Sequence, residues 1–340
     1  MSTVRTRLKT IGGTLASVPI TLFGLALVTF LIGRVMPIDP VLAIVGDRAP
    51  QDVVEKARLD LGLDKPLPEQ FVHYLGQIFH GDLGRSVMTS NTVVQDIINF
   101  FPATFELATA AIIIAVIIGV PMGVWAASRQ GKLTDQLVRL FCLSGHSVPV
   151  FVLGMVSLLV FYARLGVAPG PGRQNIAYQD MIDVHTGMLT VDAALAGEWE
   201  AFRDALWHLA QPAGVLAFFS LAYIARMTRA FMLNELRSEY VTTARAKGLS
   251  NSRIIWGHAF RNVLVPLVTV LFLTYAGLLE GAVLTETIFS WPGLGQYLTV
   301  SLLNADMNAV LGATLVIGLI YVVLNLLSDV LYRLLDPRVR

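Results

Sequence analysis

Six runs of this chain lack any charged side chain over nearly the length of a bilayer crossing: residues 10–33, 107–128, 140–163, 205–225, 262–279 and 307–328. A helix needs about 20 residues to cross the hydrocarbon core. The runs are continuously apolar and do not alternate, so they predict helices and not the strands of a barrel. Pro121, Pro149 and Pro266 fall inside them and predict kinks, which helices in a bilayer tolerate.

The polar segments between the runs differ in kind. Residues 34–102 carry soluble-type helix patterns. Pro50 can open one helix and Gly62 can end it. Pro68 can open a second, with Phe71, Tyr74, Leu75 and Ile78 on one apolar face. Residues 164–204 are rich in Pro and Gly first and in acids later, among them Asp180, Asp183, Asp192, Glu198, Glu200 and Asp204. Short helices and irregular backbone are expected there.

Composition sharpens the class. Of 340 residues, 55% are hydrophobic and 14% charged, where a soluble domain carries about 25% charged residues. The mean hydropathy is +0.65. This is the composition of an integral membrane protein, so domain counting by length does not apply. Arg5, Arg7 and Lys9 precede the first run as in a signal peptide, but that run is 24 residues long. A signal core spans roughly 7–15 and ends at a small-residue cleavage site, so the run is read as a retained first span. Cys142 is the single cysteine. It excludes an intramolecular disulfide and a Cys-based metal site, and reads as a small core residue.

Charge gives the orientation. With the N-terminus inside, the inner segments are 1–10, 129–139, 226–261 and 329–340, and they hold 16 Lys/Arg against 5 Asp/Glu. The rest of the chain holds 9 against 19. The positive-inside rule therefore predicts both termini inside, as six spans require.

The inner segment 226–261 carries more than charge. Leu233, Leu236, Tyr240 and Ala244 share a helical face. Gly248 can end that helix in a left-handed cap, and Ser250 can cap a second helix bearing Ile254, Ile255 and Trp256. The pattern predicts a short helix, a sharp turn and another short helix, a knob rigid enough to transmit a partner's motion. An ordinary basic loop at the membrane surface is the plainer reading.

The residues themselves add a resemblance. Glu239-Tyr240-Val241-Thr242-Thr243-Ala244-Arg245-Ala246-Lys247-Gly248-Leu249 resembles the loop that ATP-binding-cassette (ABC) importer permeases insert into their ATPase subunits. Ala244 and Gly248 fall where that signature has its last Ala and its Gly. Thr242-Thr243 replaces its Glu-Ala, and His258-Ala259-Phe260-Arg261 stands where Ile-x-Leu-Pro is usual. Both departures resemble the peptide/nickel branch. Leu61-Gly62-Leu63-Asp64-Lys65-Pro66 and Gly81-Asp82-Leu83-Gly84-Arg85-Ser86 look like the first outer loop of dipeptide and oligopeptide permeases. Thr285-Glu286-Thr287-Ile288-Phe289-Ser290-Trp291-Pro292-Gly293-Leu294-Gly295 looks like their last outer loop, and Asp336-Pro337-Arg338-Val339-Arg340 like their C-terminus. The long loop 164–204 is most similar to that of the first, B-type subunit of dipeptide permeases.

The resemblance implies an all-α, six-span permease of the type I ABC importer fold in the bacterial cytoplasmic (inner) membrane, with N-in/C-in topology. Its parts would be an N-terminal tail and first span in 1–35, a periplasmic loop with short helices in 36–102, and the second and third spans in 103–163. A periplasmic loop in 164–204, the fourth span in 205–232, the coupling loop in 233–261 and the fifth span in 262–284 would follow. A periplasmic loop in 285–306 and the sixth span with the C-terminus in 307–340 would complete it. Implied partners are a second, homologous permease forming a heterodimer, two ABC ATPases, a peptide-binding protein outside and membrane lipid, with no nucleic acid. Glu239, Tyr240, Ala244, Arg245, Lys247, Gly248 and Leu249 would meet the ATPase. The substrate class would be dipeptides or short oligopeptides, with nickel or another small solute as the alternative within the branch.

Other residues stand apart. His146 and Pro149, in Gly145-His146-Ser147-Val148-Pro149, are candidates with Trp291 for the translocation path, where His146 either faces a cavity or makes a structural hydrogen bond. Trp291 either lines the outer mouth of a path or anchors at the interface. Glu106 and Glu280, at the outer ends of two spans, are functional candidates or solvated helix-end acids. No Gly-x-x-x-x-Gly-Lys-Ser/Thr run occurs, so this chain has no phosphate-cradling loop of its own. It is expected to be a non-catalytic subunit without a bound cofactor or metal, with ATP and magnesium used by partner subunits. A secondary transporter would need charged residues at mid-membrane, and the charge-free spans argue against it. A pure membrane anchor leaves the cytoplasmic knob without a use.

Overall fold

The computed structural model describes residues 2–35, 41, 45–46, 49–60, 62–179 and 181–335. Leu61, Asp180 and the 336–340 motif lie outside the described residues. Among those described the chain is helical, with one isolated β-bridge between Arg85 and Thr92.

Helix α1 (Ser2–Val35) is followed by α2 (Gln51–Asp60) and α3 (Leu67–Phe79) in the first loop. Next come α4 (Val93–Ser128), α5 (Leu133–Ser147) and α6 (Val150–Ser157), which runs on as a π-helical turn through Arg164. The second loop holds α7 (Leu189–Ala196), and α8 (Trp199–Leu236) leads to the short α9 (Glu239–Ala246). A π-helical turn, Arg253–Ala259, opens α10 (Phe260–Gly281). Helices α11 (Val283–Ile288), α12 (Leu294–Leu303) and α13 (Met307–Leu335) end the chain. Val93–Ser128, Trp199–Leu236, Arg253–Gly281 and Met307–Ser328 are long and apolar enough to cross a membrane. Leu133–Gly145 with Val150–Arg164 makes a fifth if the bent pair counts as one span.

The prolines sort by what precedes them. Pro121 and Pro266 sit inside continuous helices. Pro149 does not kink a helix but ends one: Val148 is extended at φ −104°, ψ 123°, and Pro149 is the N-cap of α6. The ring of a proline disfavours helical backbone in the residue before it. The two helices meet there at 95°.

The chain divides into two compact units, residues 1–101 with 296–322, and 102–295 with 323–340. In the first, the ends of α1 and α13 approach closely, since a Cβ on Gly33 would lie 2.7 Å from Leu311 and one on Gly318 2.4 Å from Leu25. Asp96 and Asp306 are buried there and accept several hydrogen bonds each. Thr89, Asn91 and Tyr297 donate to Asp96, and Ser86 donates to Asp306 at 2.5 Å.

In the second unit, α8 packs on α5, α7 and α10. Its seam with α4 is lined by small residues. A Cβ on Gly123 would stand 2.6 Å from the carbonyl of Ala225, and one on Gly119 3.1 Å from that of Leu221. Membrane helices gain no hydrophobic drive from lipid, so close backbone approach through Gly-x-x-x-Gly supplies the packing instead.

Candidate coupling site

Helix α8 stops at Leu236. Ser238, extended at φ −71°, ψ 150°, then starts α9 on a new axis. This break corrects the single face expected from Leu233 to Ala244, because Leu233 and Leu236 belong to one helix and Tyr240 and Ala244 to another. The residue of α9 that faces inward is Val241, fully buried, in a helix packed on the turn 253–259, where Ile254 and Ala259 are also buried.

Gly248 has φ +78°. Its N–H donates to the Arg245 carbonyl at 2.9 Å, and the Leu249 N–H donates to the Ala244 carbonyl at 3.2 Å. These are the two bonds of a Schellman cap, which needs a left-handed residue where Gly248 stands. The expected second short helix is not a separate piece. The turn 253–259 runs straight into α10, so Arg253–Gly281 is one helix. Polar side chains at Arg253, His258 and Arg261 end the apolar run without ending the helical hydrogen bonding.

Three polar side chains clamp this corner. The Tyr240 hydroxyl donates to Glu235 Oε2 at 2.6 Å. The Asn262 amide donates to the same oxygen at 3.1 Å and to Tyr240 Oη at 3.2 Å. The end of α8, the start of α9 and the start of α10 are thus tied together. Partial desolvation of its hydroxyl, with the Glu235 carboxylate beside it, pushes the Tyr240 phenol up to about 12. Glu239, Tyr240, Thr242, Thr243, Arg245, Ala246, Lys247 and Gly248 remain exposed, Tyr240 by 37%, while Ala244 and Leu249 are half-buried. The result is an exposed polar helix on a fixed base.

A second tie was not anticipated. Arg229 on α8 grips Asp135 on α5 through two bonds, Nε to Oδ1 at 2.5 Å and Nη2 to Oδ2 at 2.9 Å. The Gly131 N–H adds a third at 3.0 Å. One signal was legible, since Asp135 is the single acid in the basic segment 129–139.

The remaining candidates are scattered. His146 lies in the last turn of α5, and its side chain lies outside the described residues. Trp291 is 1% exposed, donates its indole N–H to the Ala103 carbonyl at 2.9 Å and has the Arg173 guanidinium 5.4 Å from its ring centre. It packs as a core side chain in this unit. The glycines after it wrap the buried Glu286 carboxylate. A Cβ on Gly293 would sit 2.5 Å from Glu286 Cδ, and one on Gly295 2.9 Å from its Oε2. Glu106 is not a solvated acid. It is 5% exposed, paired with Arg173 at 2.5 Å, and accepts from the Thr190 N–H and hydroxyl at 2.7 and 2.6 Å. Glu280 is exposed.

Comparison with known proteins bears on nearly the whole length. Residues 119–340 match the family described as binding-protein-dependent transport system inner membrane component, and residues 9–108 match the N-terminal region of such membrane components. The chain is 43% identical over 319 residues to the probable D,D-dipeptide transport system permease protein DdpB of Escherichia coli (strain K12), covering 93% of each. It is 42% identical to the di/tripeptide transport system permease protein DppB of Pseudomonas aeruginosa (strain UCBPP-PA14), covering 94% of this chain and 95% of that one. It is 37% identical to the dipeptide transport system permease protein DppB of Alkalihalophilus pseudofirmus, covering 94% and 95%. With a helical bundle of apolar spans and a polar helix at a sharp glycine turn already in place, the chain belongs to the family of binding-protein-dependent transport system inner membrane components.

Proposed function

We propose that this chain is the first, B-type permease subunit of an ABC importer for dipeptides or short oligopeptides. Identities of 40–43% to permeases named for di- and tripeptide transport support the substrate class. The observation that carries the mechanism is the exposed helix α9 on its Tyr240–Glu235–Asn262 base, ended by the Gly248 cap. A knob of this kind fits a cleft in an ATPase subunit, with Glu239, Arg245 and Lys247 as its charged contacts. Closure of paired ATPases on ATP and magnesium would move α9, and the shared base would pass that motion to α8 and α10. The transport path would then alternate between inner and outer access, biased by ATP at one end and by a loaded binding protein at the other. A second, homologous permease would complete the path.

In this reading α1 is also a span, giving six, with both termini inside. Its apolar stretch Val18–Arg34 and the charge distribution support that assignment. Topology is tested by single cysteines at positions 183 and 245 in a Cys142→Ser background. Position 183 should label from outside and 245 from inside, and the reverse pattern would end the model. Function is tested by reconstituting the chain with its ATPases, second permease and binding protein in vesicles. Uptake of a labelled dipeptide that requires ATP inside and binding protein outside is the expected result. Uptake driven by an ion gradient without ATP would favour a secondary transporter.

A further inference from the structure

The unit formed by residues 1–101 and 296–322 contains a cavity of about 280 Å³ whose lining changes character. Phe30, Leu311 and Leu315 give it an apolar part, and Arg34, Gln70 and Tyr74 a polar one. Phe30 lies one turn deeper in its apolar helix than Arg34, and Leu315 one turn deeper than Leu311, so the apolar part points into the span. Three polar atoms here are buried without a hydrogen-bond partner: Arg34 Nε, Tyr74 Oη and Gln70 Oε1. Gln70 commits its amide nitrogen to the carbonyls of Leu63 and Lys65, at 3.3 and 2.7 Å, which leaves its oxygen over. No carboxylate pairs with Arg34 among the described residues, and its contact is the Phe30 ring at 5.3 Å. Asp82 also lines the cavity, and its Oδ1 accepts from the Gly84 N–H at 2.9 Å.

A guanidinium nitrogen buried without a hydrogen-bond partner is costly, and so is each other unmet donor or acceptor. Arginine presents a planar fork that suits phosphate oxygens, and a hydroxyl beside it adds another donor. We propose that this cavity binds a phosphate-bearing anion, with an outer-leaflet phospholipid headgroup as its occupant. The phosphodiester would take Arg34 and the Tyr74 hydroxyl, and a headgroup hydroxyl or amine would satisfy Gln70 Oε1. One acyl chain would run down Phe30, Leu311 and Leu315. Free phosphate shares the polar half of this chemistry but leaves the apolar half unfilled, which is why the lipid is favoured. The inference is independent of what the importer carries.

The test uses the intact complex, delipidated in detergent and supplied with phosphatidylglycerol, with diacylglycerol of the same chains, or with inorganic phosphate. Retained molecules are counted by native mass spectrometry and stability is followed by thermal unfolding. Phosphatidylglycerol should be retained and stabilising where diacylglycerol is not. Arg34→Gln should weaken that retention by about tenfold or more, as loss of a charged hydrogen-bond partner does, Tyr74→Phe should weaken it less, and Arg34→Lys should keep part of it. Stabilisation by inorganic phosphate alone, lost in Arg34→Gln, would support the anion site with a free-anion source. Equal retention of diacylglycerol and phosphatidylglycerol, or no change in Arg34→Gln, would overturn the proposal. If Arg34→Gln does not assemble, the two lipids on the wild-type complex and Tyr74→Phe decide.

Discussion

Substituting Gly248 isolates the turn that aims α9, because the cost can be assigned to backbone alone. Gly248 sits at φ +78°, and a Cβ built there meets no atom within 4 Å. No clash is created, so the penalty is that of left-handed backbone, roughly 1–2 kcal/mol for an ordinary L-residue. That energy shifts the population of the intact cap by about 5- to 30-fold. Asn tolerates this region several-fold better than most residues, and a β-branched residue tolerates it worst. The expected order of coupling is therefore Gly248, then Gly248→Asn, then Gly248→Ala, then Gly248→Val. The assay is ATP hydrolysis by the reconstituted complex with and without loaded binding protein, alongside uptake and subunit stoichiometry. Gly248→Ala should lose several-fold in stimulated hydrolysis and uptake, while membrane insertion stays at wild type, since α8 and α10 fold without the cap. If Gly248→Val keeps stimulation, uptake and stoichiometry unchanged, α9 is not the transmitting element. If all substitutions are equally defective, including Asn, a side-chain contact and not the backbone is at fault.

Three further expectations follow from contacts in the same unit. Tyr240→Phe removes the hydroxyl that bonds Glu235 and Asn262, which costs about 1 kcal/mol and should lower stimulated ATP hydrolysis without abolishing assembly. The Tyr240 phenol is raised above its ordinary value, so its contribution is full below pH 10 and is lost only as pH rises through about 12. The difference in ultraviolet titration between wild type and Tyr240→Phe should place its midpoint there, and a midpoint near 10 would contradict the clamp. Glu106→Gln leaves the half-buried Arg173 without its counter-charge, a loss of about 1–3 kcal/mol for an unmet charged hydrogen-bond partner. Limited proteolysis should then cut within 165–190 faster than in wild type, and unchanged cleavage would refute the tie. Gly293→Ala forces a Cβ to 2.5 Å from Glu286 and should destabilise by about 1–3 kcal/mol as overpacking does. Gly214→Ala, where a Cβ meets nothing within 4 Å, should not, and thermal unfolding of the two variants compares them directly.

Much of this protein was written in one dimension. Charge-free runs mark where helices enter an apolar solvent, because an unpaired backbone or charge cannot remain there. The left-handed turn at Gly248 was legible because the requirement is local: a helix ends, and only a residue without Cβ turns that way at no cost. The kindred motifs at 239–249 and 285–295 named a family for the same reason, being short and contiguous. What tertiary structure decided were pairings between residues far apart. Asp135 finds Arg229 94 positions away, Glu106 finds Thr190 84 away, and Trp291 finds the Ala103 carbonyl 188 away. No periodicity encodes such partners. Glu106 and Asp135 are both buried by the fold, and burial makes a partner obligatory. The split of one expected helical face between α8 and α9 has the same origin. Apolar spacing continues across Arg237 and Ser238, but Val241 is buried against the turn 253–259, and that packing, absent from the local pattern, sets where the second helix begins and what it presents.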